Sequence, residues 1–355
     1  MPSRRTNLVI VAAAVVLAIL ALLLFRQLAG GPNGGGSGST VPSASRPSGP
    51  AQSPSDLRPV KLLLGFQPDV QFAPFYLAQQ AGYFRDAGLQ VSIAYSDNVL
   101  RLVAAGQAEV GVADATDVMI GRTSGIPIKY VSTLYEHFPV ALIGAPATVP
   151  ADPSDLRGMR IGTPGRFGSS WHALLALLRA GGLTEQDVTI REYPQFNQVE
   201  GLLNGDVDLI TGFVANEPLR LQAQGFETAL MRVDDVAPLP GPGIVAGDDL
   251  LASDPQVVAA LAVAVLRAQH DIAADVSAGV DAAIQEVPTI GEDRDTATQV
   301  LQATVSLWGG GSAGPSGRID AQVWKTGYGT MRDLGFIDGS VPVTDMYDTS
   351  VVPAH

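Results

Sequence analysis

From Val60 onward, short β-branched runs alternate with stretches whose apolar residues recur every three to four positions, the rhythm of strands followed by amphipathic helices. KLLLGF (61–66) reads as a strand, and PFYLAQQAG (74–82) reads as a helix with Pro74 in its first turn and Gly82 ending it. VSIAYS, EVGVAD and IKYVSTL continue as strands, with NVLRLVAAG and TDVMIGRTSG as the helices between them. The same order returns from residue 159: MRIGTP, SSWHALLALLRAGG, VTIREYP, QFNQVEGLLNG, VDLITGF and NEPLRLQAQG. Strands alternating with helices in this way predict an α/β architecture with mostly parallel strands. One fragment recurs: Val103, Gly106, Glu109 and Val110 match Leu202, Gly205, Asp208 and Leu209. It fits a generic helix-to-strand junction, and it also fits two similar α/β lobes. After Asp235 the pattern turns helical, over 254–276, on to about Trp308, and over 321–334, with the glycine-rich GGGSAGPSG (309–317) read as a flexible loop.

The N-terminal region has a different pattern. Arg4 and Arg5 precede an uninterrupted apolar run over 8–25, and a single Arg26 follows it. At about 1.5 Å per residue, this run just crosses a hydrocarbon layer of about 30 Å. The basic flank places the N-terminus in the cytoplasm and the remainder outside. Two readings stand: an uncleaved membrane anchor over 1–29, or a cleaved signal segment, for which RQLAGG offers a poor cleavage site. Residues 30–59, rich in Gly, Ser and Pro, bury too little surface to offset their ordering entropy and read as a disordered linker.

Charge and composition narrow the function. The chain has 355 residues, Lys+Arg 22 against Asp+Glu 35, and no cysteine. Residues 1–60 hold five basic groups and one acid, so the folded remainder carries a net charge of -17. An acidic body argues against nucleic acid as the partner. The absence of cysteine excludes disulfides, thiolate metal sites, thiol catalysis and a lipid-modified N-terminal cysteine.

Catalytic patterns do not emerge. GTPGRFG is spaced GxxGxxG, and GSSW lacks the GxSxG elbow. His137, His172, His270 and His355 are scattered and read as surface or packing residues, and Asp234, Asp235, Asp248 and Asp249 as solvated loop charges. No catalytic residue, metal site or cofactor is expected. Polar and aromatic residues gather instead where strands run into helices: QPDVQFAPFY, Asp97 and Asn98, ADATD, PGRFGSSW and FVANEP. In parallel sheets such positions form ligand sites. Phe72, Tyr76, Phe167, Trp171 and Phe213 offer flat apolar faces there, a composition suited to a flat, polar-edged small molecule.

The runs FAPFYLAQQAGYFRDAGLQV, VADATDVMIGRTSGIPIKYVSTLYEHFPVAL, DLRGMRIGTPGRFGSSWHALLALL and GDVDLITGFVANEPLRLQAQG resemble the solute-binding proteins of bacterial ABC importers in the thiamine-pyrimidine, riboflavin and sulfonate-binding superfamily. The resemblance implies a type II periplasmic-binding fold, two α/β lobes with a ligand cleft between them. Lobe I would begin over 60–140, lobe II span 141–235, and lobe I be completed by 236–355, with crossings near 135–144 and 231–243. It further implies capture of a small heterocycle, riboflavin-like or thiamine-pyrimidine-like, and delivery to ABC permease and ATPase subunits; with the apolar run as an anchor the binding protein is held at the cell membrane with its body outside, and with a cleaved signal it is periplasmic or secreted. Within that frame Glu217 is the principal specificity residue, with a helix-dipole carboxylate as the competing role. Asn216, Asp114, Thr116, Ser169, Ser170 and Tyr135 are further ligand candidates. Trp171 either stacks on a ring or anchors its helix. For Phe72 a ring contact is expected, and for Tyr76 a core role competes. Three other functions share the resemblance: sulfonate binding, a ligand-sensing receptor subunit, and a pyrimidine-precursor synthase, whose cysteine-rich motif a chain without cysteine cannot contain.

Overall fold

The computed structural model describes residues 57–65 and 67–352, so the N-terminal apolar run and nearly all of the expected linker lie outside the described residues. Ten strands form two five-stranded sheets. The first contains β1 (Arg58–Leu64), β2 (Leu89–Tyr95), β3 (Val110–Ala113), β4 (Ile128–Thr133) and β10 (Gly243–Gly247), in the order β2-β1-β3-β10-β4. The second contains β5 (Val140–Gly144), β6 (Arg160–Thr163), β7 (Thr189–Glu192), β8 (Leu209–Phe213) and β9 (Ala229–Arg232), in the order β7-β6-β8-β5-β9. β1 opens at Arg58 rather than after the linker, because Arg58 and Pro59 already pair with Leu89 and Gln90. Proline is tolerated at the start of a strand.

The two sheets are topological copies. In each, three parallel strands are followed by one antiparallel strand, β10 or β5, and then by an edge strand. The antiparallel strand is in both cases the first one made after the chain crosses from the other sheet, through 134–139 into β5 and through 233–242 into β10. Val140 to Gly144 therefore forms a fully buried inner strand, where the sequence suggests the tail of a crossing.

The recurring fragment occupies equivalent places. Helix α3 (Val99–Ala104) runs into β3, and α6 (Gln198–Leu203) runs into β8. Gly106 and Gly205 both adopt positive φ, 67° and 72°, which closes the helix at little steric cost. Glu109 accepts a hydrogen bond from the Lys61 amide at 2.7 Å, and Asp208 accepts one from the Arg160 amide at 2.8 Å. The acidic residue before β3 or β8 thus ties that strand to a backbone amide of its parallel neighbour, β1 or β6, in both lobes, so the resemblance extends beyond a generic junction.

Helices cover both faces of each sheet. On the first, α1 (Ala73–Gln80), α2 (Tyr83–Asp86) and the C-terminal helices α10 (Pro255–Ala274), α11 (Val276–Glu286) and α12 (Arg294–Leu307) bury one side around Leu62, Leu64, Phe75 and Trp308. α3, α4 (Ala115–Thr123) and α13 (Ala321–Asp333) bury the other around Met119, Tyr130 and Trp324. On the second sheet α5 (Gly168–Ala180) packs through Trp171, Leu174 and Leu177 on one face, and α6 with α7 (Glu217–Ala223) on the other. The short α8 (Val233–Val236) and α9 (Asp248–Ser253) flank the return crossing and β10.

The helix expected over 254–276 is α10, which ends at Ala274. Asp275 follows it and accepts a hydrogen bond from the Ser277 amide, capping α11. Among the described residues, α10 alone has the length and hydropathy to cross a membrane, but half of its apolar window is buried, as expected of a core helix.

Three surface expectations change in the structure. Asp234 is bound to the first crossing, with one oxygen 2.8 Å from His137 Nδ1 and the other accepting from the Phe138 amide. Asp248 pairs with Arg122 at 2.5 Å. The 309–317 loop is anchored: Glu136 accepts from the Gly310 amide and the Ser316 hydroxyl, and the Gly317 carbonyl accepts from the Thr133 amide.

Candidate functional site

The carboxyl ends of the parallel strands of both sheets open on one cleft of about 1040 Å³. First-lobe residues follow β1 (Asp69, Gln71, Phe72), end or follow β2 (Tyr95, Asp97) and follow β3 (Asp114, Asp117). Second-lobe residues follow β6 (Phe167, Ser169, Ser170) and end or follow β8 (Phe213, Asn216, Glu217). The volume suits a ligand at the upper end of the usual pocket range, about 300–1,000 Å³.

Five carboxylates reach this cleft: Asp69, Asp97, Asp114, Asp117 and Glu217. Among the described residues that line it, none is Lys, Arg or His. For Asp69, Asp114, Asp117 and Glu217, burial disfavours the ionised form. It pushes the carboxyls of Asp69, Asp114 and Glu217 above the usual range, although backbone amides at Gln71, Ser169 and Phe213 pull the other way. Desolvation and the neighbouring Asp114 raise Asp117 to about 7.

Glu217 stands at the first position of α7, where the helix dipole favours a carboxylate. One of its oxygens accepts the Phe213 amide at 2.7 Å, which folds the side chain back along β8. Gly212 makes room for this: a Cβ there would lie 2.8 Å from Glu217 Cγ and 2.8 Å from Ile143 Cδ1. Glu217 therefore has one oxygen engaged locally while lining the cleft.

The lobes also touch each other. Asp114, the residue before α4, accepts a hydrogen bond from the Ser169 hydroxyl in the first turn of α5. Behind it, Thr116 Oγ1 lies 3.0 Å from His172 Nδ1, both side chains buried. Burial lowers the His172 pKa to about 4, which keeps the ring neutral, and Phe336 meets it edge-on at 4.7 Å.

Of the residues expected at the site, Glu217, Asn216, Asp114, Ser169, Ser170, Phe72 and Tyr135 line the cleft. Thr116, Tyr76 and Trp171 lie behind its wall. Thr116 is turned to His172. Tyr76 is fully buried with its hydroxyl 2.6 Å from that of Tyr95. Trp171 packs in the second-lobe core, and the Arg166 guanidinium lies 4.7 Å over its ring.

Sequence reasoning did not single out Asp69, Tyr95, Phe196, Gln198, Gln269 and Trp308, all of which line the cleft. Gln269 carried a signal, since it follows Val258, Ala262 and Val265 at helical spacing on the buried stripe of α10. Its Nε2 donates to the Leu134 carbonyl at 3.2 Å, while its Oε1, Gln198 Oε1 and Trp308 Nε1 are buried and unpaired.

The fold is that of the periplasmic binding proteins. The aliphatic sulphonate-binding protein SsuA of Escherichia coli superposes with a TM-score of 0.66 at 12% identity, covering 84% of this chain and 94% of that one. The alkanesulfonate-binding SsuA of Xanthomonas axonopodis pv. citri, bound to MOPS, gives 0.62 at 16% identity over 82% and 99%. In sequence, the chain is 35% identical to riboflavin-binding protein RibY of Chloroflexus aurantiacus, over 88% of this chain and 92% of that protein. It is 25% identical to the 4-amino-5-hydroxymethyl-2-methylpyrimidine phosphate synthase THI13 of Saccharomyces cerevisiae, over 61% and 67%. Residues 69–277 match the family described as NMT1/THI5 like, and with the RibY similarity spanning most of both proteins, the chain belongs to that family.

Proposed function

We propose that this protein is the extracytoplasmic solute-binding component of an ABC importer, and that it captures a planar heterocycle bearing N-H and O-H donors, of the riboflavin type. The observation that carries the reading is the charge of the cleft, five carboxylates and no cationic side chain among its described lining residues. A buried carboxyl is stabilised by a ligand that donates hydrogen bonds to it and destabilised by a second anion. Phosphorylated pyrimidines and alkanesulfonates are anions, so this wall opposes them, whereas the neutral ring and hydroxylated chain of riboflavin supply donors. The likeness to RibY supports the same ligand class.

The test is titration of the full chain with riboflavin, flavin mononucleotide and an alkanesulfonate, followed by tryptophan fluorescence and melting temperature. Riboflavin at about 100 times its dissociation constant raises stability by about 2.7 kcal/mol. Binding of the sulfonate or mononucleotide in preference to riboflavin refutes the reading. Delivery to a permease, and retention at the membrane through residues 8–25, complete the proposal. Recovery of a mature chain beginning after Gly30 from the membrane fraction would remove the anchor.

A further inference from the structure

Five large hydrophobic side chains are exposed among the described residues, and the only two aromatic ones, Phe167 at 60% and Phe196 at 44%, both line the cleft. They come from separate loops of the second lobe, Phe167 just before α5 and Phe196 just before α6. We propose that Phe167 and Phe196 form an aromatic lip that selects ligands by flat ring area, favouring a fused multi-ring heterocycle over a single-ring pyrimidine. This rests on the heterocycle reading above.

Two further features support the lip. Phe196 has φ 56°, the one non-glycine residue with positive φ among the described residues. A bulky side chain in that region is disfavoured, and glycine or asparagine would occupy it at lower cost. Phe167 leans over Gly165, whose missing side chain makes space for it, since a Cβ at 165 would lie 2.4 Å from a carbon of the Phe167 ring. The backbone thus holds both rings at the cleft, one on a residue with positive φ and one over a glycine. Across the cleft stand Phe72 and Tyr95, whose rings are 6.3 Å apart. A flat ligand between these two groups removes the exposed rings from water and stacks on them, and both gains grow with ring area.

The experiment titrates the full chain and three variants with riboflavin, with lumichrome (the same three rings without the hydroxylated chain) and with a monocyclic aminopyrimidine. The wild type should bind both three-ring ligands at least about tenfold more tightly than the pyrimidine, about 1.4 kcal/mol. Phe167→Ala and Phe196→Asn should each weaken the three-ring ligands by about tenfold and change the pyrimidine by less than about threefold. Circular dichroism of each variant should match that of the wild type, which shows that the lost affinity does not come from misfolding. Gly165→Ala, which displaces the Phe167 ring without removing it, should weaken the three-ring ligands in the same direction. Three-ring affinity unchanged in the lip variants, or lost in parallel with the pyrimidine, overturns the lip and leaves the heterocycle reading standing. A wild type that binds none of the three removes both.

Discussion

The Asp114 carboxylate of the first lobe accepts a hydrogen bond from the Ser169 hydroxyl at the head of α5 in the second, so one side-chain bond joins the two lobes. The two partners should respond differently to mutation. For Asp114, desolvation by burial outweighs the bond from Ser169, and its pKa is raised as a result. Asp114→Asn removes the buried charge and keeps an acceptor, so its melting temperature at pH 8 should equal or exceed that of the wild type. Ser169→Ala leaves the carboxylate without its donor and should cost about 1–3 kcal/mol. Thermal denaturation of both variants checks this, and a less stable Asp114→Asn would show that the bond outweighs the burial.

His172 should make stability fall in acid. Its folded pKa is about 4 against the ordinary 6.5, so the unfolded chain takes up the proton first as pH drops. The contribution is therefore complete above pH 6.5 and disappears as pH falls toward 4, on the order of 3 kcal/mol in all. His172→Gln should flatten melting temperature against pH across that window.

Asp117 should act with the opposite sign. Its pKa is raised from 3.8 to about 7, so the folded chain holds the proton that the unfolded chain has released. Its stabilising contribution is present below 3.8 and is lost as pH rises through 7. Because 40% of its side chain is open to the cleft, solvent screens the effect. Asp117→Asn should raise the melting temperature at pH 8 and change it little at pH 4. For a ligand that donates a hydrogen bond to the Asp117 carboxylate, affinity should increase between pH 6 and pH 8, measured by titration at each pH.

Glu217→Gln should weaken riboflavin binding at least tenfold, about 1.4 kcal/mol. The remaining amide oxygen can still accept the Phe213 amide, so the fold should survive the change, and unchanged affinity would assign Glu217 to helix capping alone. Gly212→Ala should weaken binding as well, because its Cβ would push on the Glu217 side chain.

Much of the molecule follows from local pattern. Leu62, Leu64, Val110 and Ile161 sit in strands, and Val103 and Leu202 in helices, because apolar spacing fixes which face each element buries. Gly106 with Glu109, and Gly205 with Asp208, announce the same junction twice, and both lobes build it. Glu217, Asn216, Asp114 and Ser169 are legible as cleft residues because they follow strands directly. Trp171 shows the limit of that reasoning: it also follows a strand, but its position one helical step farther around α5 turns it into the core.

The sequence by itself determined the α/β alternation, the doubled lobe, the acidic character and the loops that line the cleft, because each of these depends on residues within about one helix or strand of each other. Only the tertiary structure decided that β5 and β10 enter antiparallel beside β8 and β3, since strand order depends on long-range pairing. Only it brought Gln269 and Trp308 to the same wall as Asp69, and set Phe167 and Phe196 at the cleft mouth. Those residues meet because two sheets and the helices packed on them leave a gap there, and what faces a gap is fixed by the packing around it.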